Sequence, residues 1–359
     1  MSSEAPTICP GSPELPELSE APGTFYLAPP LQHTRDRLYA GLQDRDWGAT
    51  FPAHGVMAVE VPAGQLRQLL RTLGALMSEP ETAAGTALFL EAGRGLDAAS
   101  LTQARSLSTW TARADHEWLV ELIRDEQVQI HYQPILRAHP DGEPELYAYE
   151  CLLRGLDSSG GIISPGQMFQ AAELANLEFY LDRMARVAAI RDSHALGIEA
   201  NLFINFRPTA IYDPAFCLRT TVGAVDRLGL DPGKVVFEVV ESEAITDHRH
   251  LRYIVDEYRQ GGFRIALDDL GAGYGSLNLL KDLEPDFVKL DRDLIRGVQA
   301  STAQQSIVEA MLGMARKLGI TTVAEGIEEA DEYRWLCEAG VDLVQGFYFA
   351  RPAHPPPRL

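Results

Sequence analysis

The sequence predicts an α/β protein whose larger part is a closed (β/α)8 barrel of the TIM type, preceded by a small α/β N-terminal module. Three observations carry this expectation. Eight short apolar runs alternate with helix-like segments over roughly 240 residues, the size and rhythm of such a barrel. Polar residues stand at or near the end of nearly every one of those runs, where barrel enzymes keep their chemistry. One stretch, Arg264 to Leu277, reads RIALDDLGAGYGSL. Its apolar run stops on two adjacent acids and passes into a loop with glycines at Gly271, Gly273 and Gly275, the pattern of a strand, carboxylates at its end, and a loop able to bend closely around something. Adjacent carboxylates repel one another unless a cation or a shared proton relieves them.

Taken in order, residues 1–30 are rich in Pro, Ser and Glu without a periodic apolar face. They are expected to form a flexible tail, and Cys9 lies within it. Residues 31–114 read as a small α/β module: a helix over HTRDRLYAGLQ, a strand from Val56 to Val61, and a helix from Gln65 to Met77 with Leu66, Leu69, Leu70, Leu73 and Leu76 at helical spacing. A second strand from Thr86 to Leu90 and a helix over LDAASLTQARSLSTW complete it. Nothing in the module carries identifiable chemistry. Ala114 to Glu126 reads as an amphipathic helix with Trp118, Leu119, Leu122 and Ile123 on one face, and the boundary with the barrel, residues 115–359, is placed near Asp115. The eight strands are expected at Val128 to Gln133 (broken by Pro134), Tyr147 to Leu153, Leu202 to Asn205, Val235 to Val239, Phe263 to Asp268, Phe287 to Leu290, Thr322 to Glu325 and Leu343 to Gly346. Ser164-Pro165, Asp213-Pro214 and Asp231-Pro232 are helix starts, each a capping side chain followed by a first-turn proline.

Composition limits the function. With 51 acidic and 31 basic residues the chain carries a net charge of -20, which argues against a broad basic face for DNA or RNA. The cysteines, Cys9, Cys151, Cys217 and Cys337, form no CxxC pair, suiting a reducing compartment better than a disulfide scaffold. No apolar stretch approaches the ~20 residues that span a membrane, and the amino terminus lacks a signal pattern. A cytoplasmic protein with no membrane segment is the expectation.

The polar residues at the strand ends are Gln133, Glu150, Asn205, Glu238 with Glu241, Asp268 with Asp269, Lys289, Glu325 and Gln345. Any one of them can cap a helix or make a rim salt bridge. A closed barrel, however, brings all its strand ends to one mouth, and so many acids there would be unstable if left empty. Ligands that are all oxygen, with His131 the nearest histidine, point to a hard divalent cation, Mg²⁺ or Mn²⁺. The carboxylates suffice for two ions sharing Asp268 at a separation of about 3.5–4 Å, the arrangement that activates water against a phosphodiester. Lys289 is one of only four lysines, so a lysine at a strand end is less easily read as surface filler.

Tyr149-Glu150-Cys151-Leu152-Leu153-Arg154 resembles, with Cys in place of Ala, the signature of the EAL family of bacterial cyclic di-GMP phosphodiesterases. The likeness continues through Tyr132-Gln133-Pro134-Ile135, Ile204-Asn205-Phe206, Phe237-Glu238-Val239-Val240-Glu241-Ser242, Leu267-Asp268-Asp269-Leu270-Gly271-Ala272-Gly273-Tyr274, Asp286-Phe287-Val288-Lys289-Leu290-Asp291, Val323-Ala324-Glu325-Gly326-Ile327-Glu328 and Gln345-Gly346-Phe347, in order and spacing from about Trp118 to Pro352.

This resemblance implies hydrolysis of cyclic di-GMP to linear pGpG by a metal-activated water, in an enzyme that dimerises through its barrel. It implies a first metal held by Glu150, Asn205, Glu238 and Asp268, and a second by Asp268, Asp269 and Glu325. Lys289 would orient the water and offset developing charge, Glu325 is also the candidate general base, and Glu241 would anchor the loop from Asp269 to Ser276. Gln133, Arg154 and Gln345 would contact the dinucleotide, Arg154 as a bidentate phosphate donor. Departures are small. Cys151 should face away from Glu150, while Ala272 and Gly275 stand where the family more often has Thr and Ser or Ala; an extra glycine could loosen that loop. The alternative is a catalytically silent receptor for the same dinucleotide, signalling through the N-terminal module. A barrel of enolase type would explain the acids but not the dinucleotide-like motifs. No GGDEF-like cyclase signature is present.

Overall fold

Alternation along each barrel strand decides what fills the interior, and the sequence supplies one inward residue per strand at each level. The computed structural model describes residues 14–140, 142–240, 248–271 and 276–358. The barrel strands are β1 (Val128–Arg137), β2 (Glu145–Leu156), β3 (Asn201–Asn205), β4 (Val235–Val240), β5 (Arg264–Leu270), β6 (Phe287–Leu290), β7 (Thr321–Ala324) and β8 (Leu343–Val344). They pair in the order β1-β8-β7-β6-β5-β4-β3-β2, and β1 closes the ring on β2.

Neighbours from β2 round to β8 are parallel, whereas β1 runs antiparallel to both β2 and β8. The expected (β/α)8 barrel is therefore present with its first strand reversed. The reason is the connection from β1 to β2, which is too short to hold the crossover helix that a parallel pair requires. Pro134, expected to break the first strand, lies inside β1 opposite Tyr149. On the other side of β1, Tyr132 N–H donates to the Ala353 carbonyl (2.8 Å) and Ala138 N–H to the Asp342 carbonyl (3.0 Å). Pro134 falls in the same alternate series of nitrogens, so its missing donor takes nothing from the β1–β2 ladder.

The interior is layered. At the amino-terminal end of the parallel strands, the Arg264 guanidinium donates to Asn201 Oδ1 (2.6 Å) and to the Tyr147 hydroxyl (3.1 Å) and lies 5.2 Å from the Phe287 ring centre. Above it sits an apolar layer with one residue from each strand: Ile135, Ala148, Phe203, Val236, Ala266, Phe287, Val323 and Leu343. Two residues further along each strand (two back on reversed β1) come Gln133, Glu150, Asn205, Glu238, Asp268, Lys289, Glu325 and Gln345. Eight of the ten polar residues named from the sequence thus form one layer of the barrel, resting on its hydrophobic plug.

The chain divides into two compact units: the residues up to Gln127 together with Ile163–Leu181, and Val128–Ile162 together with Asp182–Leu359. This division falls at Gln127, after the boundary expected near Asp115. The helix Glu117–Arg124 and the later helix Pro165–Ala175 both belong to the first unit, where Arg113 Nε donates to the Ala175 carbonyl (3.0 Å).

The first unit is built on a five-stranded antiparallel sheet ordered Ala49–Ala53, Val56–Val61, Gly23–Ala28, Thr86–Glu91, Arg105–Ser106. Gly23–Ala28, expected to lie in the tail, is its central strand. Phe25 and Leu27 are buried there against Leu38 and Leu42 of the helix Gln32–Gln43 and Leu66, Leu69, Leu70 and Leu73 of the helix Leu66–Leu76. The single helix expected over residues 96–110 is instead a 3-10 turn (Ser100–Gln103), a short strand and the helix Leu107–Asp115. Ser106 ends the irregular stretch by capping that helix, its Oγ accepting Thr109 N–H (3.2 Å). Cys9 lies outside the described residues. Among the described residues no helix is long and apolar enough to cross a membrane.

Candidate active site

Lys289 stands at the centre of the polar layer and is 1% exposed. Its ammonium lies 2.5 Å from Glu325 Oε1, 2.7 Å from Glu238 Oε1, 3.2 Å from Asp268 Oδ1 and 3.7 Å from Glu150 Oε1. Asn205 Nδ2 bridges Glu238 Oε2 (3.1 Å) and Glu150 Oε1 (3.3 Å). Gln345 Nε2 donates to Glu150 Oε2 (2.6 Å) and to Gln133 Oε1 (3.2 Å), so the two glutamines and Glu150 form one chain. All eight layer residues are therefore linked by hydrogen bonds or ion pairs.

Asp269 joins this layer through a backbone irregularity. In a regular strand it would point away from Asp268. The β5–β6 register shifts between Leu267 and Leu270, and Asp269 takes a left-handed φ of 57°, unusual for a residue other than glycine and concentrated at functional positions. The bulge turns Asp269 inward. Its N–H donates to Asp268 Oδ1 (2.9 Å), and one oxygen each from Asp268, Asp269 and Glu325 lies within 4.8 Å of the others.

The electrostatics follow from five carboxylates facing one ammonium. Burial pushes Glu238 well above the usual carboxylate range, and the charges of Glu150 and Asp268 add to this against the pull of Lys289. Burial likewise pushes Glu325 up to about 8. Asp269 rises to about 6, first through burial and then through the charge of Asp268. Burial pulls Lys289 down, but Asp268, Glu150, Glu238 and Glu325 together outweigh it and raise the ammonium well above its ordinary value.

The donor set fits hard divalent cations. It consists of oxygens, and more positive charge than one lysine supplies would relieve it. Glu238 Oε1 and Glu325 Oε1 are buried without a hydrogen-bond partner, although both are ion-paired with Lys289; distance rather than alignment makes those contacts, which leaves lone pairs for a cation. Asp268, Asp269 and Glu325 form the close carboxylate group, and Glu150 and Glu238 are joined through the Asn205 amide.

The residues expected at the dinucleotide divide. Gln133 and Gln345 are in the layer, and Gln345 Oε1 is buried without a partner. Arg154 is on the Glu150 face of β2 two steps out, half-buried, with Nη1 on the Leu153 carbonyl (2.8 Å). His131 is one step out from Gln133 on β1, with Nε2 3.2 Å from Gln129 Oε1, so the layer itself holds no imidazole. Cys151 is buried, faces away from Glu150, and lies 3.9 Å from Ser193 Oγ. Glu241, Ala272, Gly273 and Gly275 lie outside the described residues. Sequence reasoning gave Asp291 no role. Its charge adds to the lift on Asp269, and its Oδ1 accepts Asp293 N–H (2.8 Å), capping the short helix Arg292–Ile295. Its position two residues beyond Lys289 was the available signal.

A family profile described as EAL domain matches residues 116–352. Cyclic di-GMP phosphodiesterase NbdA of Pseudomonas aeruginosa is 30% identical over 246 residues, which is 66% of this chain and 30% of that protein. Probable cyclic di-GMP phosphodiesterase PdeG of Escherichia coli is 31% identical over 243 residues, 66% of this chain and 46% of that protein. The chain thus spans less than half the length of either relative. Among solved structures, the c-di-GMP-bound form of a standalone versatile EAL protein from Vibrio cholerae O395 is similar at 37% identity and a TM-score of 0.58, over 64% of this chain and 94% of that one. The PaMucR phosphodiesterase in complex with c-di-GMP gives 30% identity and a TM-score of 0.57, over 66% and 97%.

Proposed function

The chain belongs to the EAL domain family, and on that premise we propose that it hydrolyses cyclic di-GMP to linear pGpG with two Mg²⁺ or Mn²⁺ ions. The observation that carries the reading is the single polar layer in which Glu150, Asn205, Glu238, Asp268, Lys289 and Glu325 converge, with Asp269 turned in beside it. Relatives and structural neighbours named as cyclic di-GMP phosphodiesterases or as c-di-GMP complexes supply the substrate.

In this reading Glu150, Asn205, Glu238 and Asp268 hold one ion, and Asp268, Asp269 and Glu325 the other. Divalent ions bound there supply Lewis acidity to the phosphodiester and a lowered pKa for attacking water. The protein's own groups do the rest. Lys289 Nζ, fixed by its carboxylates, donates to the attacking water and to the charge that builds on the phosphoryl oxygens. Glu325, 2.5 Å from that ammonium, takes the proton from water as its oxygen bonds to phosphorus. The bond from phosphorus to the ribose O3′ breaks, the departing oxygen takes up a proton from solvent, and Glu325 returns the one it holds to solvent, leaving a linear dinucleotide. Gln133 and Gln345 present amides at the floor, and Arg154, further out on β2, offers a guanidinium to the second phosphate. Glu241 keeps its proposed place as anchor of the loop after β5.

A Glu150→Gln protein tests the assignment. It should retain the fold and its unfolding midpoint within a few degrees while losing about 10³-fold in turnover; turnover at the unsubstituted rate would contradict it. Binding of cyclic di-GMP by the unsubstituted protein without product would favour the silent receptor. The family likeness is also the ground for a homodimer formed through the barrel, which analytical sedimentation tests. A cytoplasmic location rests on Cys151, Cys217 and Cys337, all buried free thiols.

A further inference from the structure

Behind the polar layer, on the helix Glu178–Ala195, Asp182 and Arg186 lie one turn apart and are 2% and 0% exposed. Arg186 uses its whole fork. Nε and Nη2 donate to Asp182 Oδ2 (2.9 and 2.7 Å), and Nη1 donates to Thr221 Oγ1 (2.5 Å). The other aspartate oxygen, Oδ1, accepts the backbone N–H of Arg207 (2.9 Å). Arg207 is two residues beyond Asn205, the last residue of β3, and between them Phe206 N–H donates to the Glu238 carbonyl (3.1 Å).

Burying an ion pair costs nearly as much in desolvation as it returns, and well-packed apolar pairs often replace one at no loss. What an apolar pair cannot do is accept a backbone N–H. We propose that Asp182, oriented by Arg186, is a positioning residue that fixes how the chain leaves β3 and thereby holds the Asn205 amide between Glu150 and Glu238. Glu238 ties the chain at Phe206 from the sheet side and Asp182 ties it at Arg207 from the helix side. Asn205 has little freedom left to turn out of the layer. The inference rests on the proposed metal-dependent hydrolase, for which Asn205 is a cation ligand.

The test uses the full chain, with Mn²⁺ affinity from calorimetric titration as the main readout and cyclic di-GMP turnover beside it. The pair is replaced by D182L/R186L, which keeps an apolar filling, and by D182N/R186M, which keeps an oxygen acceptor for Arg207 N–H without the charges. The leucine variant should unfold within a few degrees of the unsubstituted protein, bind Mn²⁺ about 10–100-fold more weakly, as loss of a residue that orients a ligand does, and lose kcat with little change in KM. The Asn/Met variant should recover most of the Mn²⁺ affinity. A leucine variant that binds Mn²⁺ and turns over normally overturns the proposal, as does an Asn/Met variant as weak as the leucine one. If the leucine variant does not fold, the Asn/Met variant decides: affinity within about threefold of the unsubstituted protein supports positioning by the hydrogen bond, and a greater loss overturns it. Absence of both Mn²⁺ binding and product in the unsubstituted protein would strike the hydrolase reading instead.

Discussion

At the scale of single residues, the site is a problem in charge. Among the described residues Lys289 is the one cation ion-paired within this ring of carboxylates, and the acids that it does not fully neutralise keep their protons to unusually high pH. This has a measurable consequence for protein stripped of divalent ions with EDTA. Glu325 and Asp269 bind protons more readily folded than unfolded, with values raised from 4.5 to about 8 and from 3.8 to about 6. Their contribution to stability is therefore complete below their unfolded values and is lost as pH rises through the folded ones. The unfolding midpoint of EDTA-treated protein should fall as pH climbs from about 5 to about 8, and saturating Mn²⁺ should flatten that slope; a midpoint that rises over the same range would contradict the charge arrangement. Most of the residues responsible were legible in the sequence, because side chains at a period of two from an apolar layer must share the barrel interior. Asp269 also belonged to the expected set, but the means of its entry did not. Strand alternation sends it outward, and only the left-handed backbone at the β5 bulge brings it in. Asp182 and Arg186 were not legible at all, since an i, i+4 ion pair in a helical segment looks the same whether it faces water or is buried.

At the scale of elements, the strands were readable and their surroundings less so. Parallel strands buried on both faces give continuous apolar runs, which is why β3, β4, β6 and β7 appear within a residue or so of their expected bounds. The reversal of β1 had a signal in the short link to β2, and Pro134 concealed the strand's full length. The end of β8 carries a sharp expectation. A Cβ on Gly346 would lie 2.0 Å from the Ile327 carbonyl oxygen and 2.4 Å from its nitrogen, backbone atoms that cannot swing aside. Gln345 N–H donates to the Ala324 carbonyl (2.8 Å), and Ile327 N–H donates to the Gln345 carbonyl (3.1 Å), so the same crossing ties β8 to β7 and sets Gln345 in the polar layer, where it is proposed to meet the substrate. Gly346→Ala should cost roughly 1–3 kcal/mol of stability and raise KM for cyclic di-GMP about tenfold or more. Thermal unfolding and initial rates check both, and an unchanged KM would separate Gln345 from substrate binding.

At the scale of the molecule, the barrel and its polar mouth could be anticipated, whereas the place of Ile163–Leu181 in the first compact unit could not. The central strand Gly23–Ala28 is short and flanked by prolines, so local composition hid it; its burial depends on leucines contributed by helices far along the chain. The helix Pro165–Ala175 likewise belongs to the first unit although it comes from the middle of the sequence. Met168, Ala171, Ala172 and Ala175 on that helix are buried. A chain truncated to begin at residue 116 should expose them and run as aggregate, or unfold well below the full chain, by size-exclusion chromatography and thermal melting; a truncated barrel of full-chain stability would contradict this division.

Whether the polar layer breaks a phosphodiester is decided by incubating the full chain with cyclic di-GMP and Mn²⁺ or Mg²⁺, with EDTA as control, and resolving the products by chromatography. Linear pGpG formed with the divalent ions and absent with EDTA is the expected result. Cyclic di-GMP left intact under every metal condition, in protein shown to be folded, would contradict it.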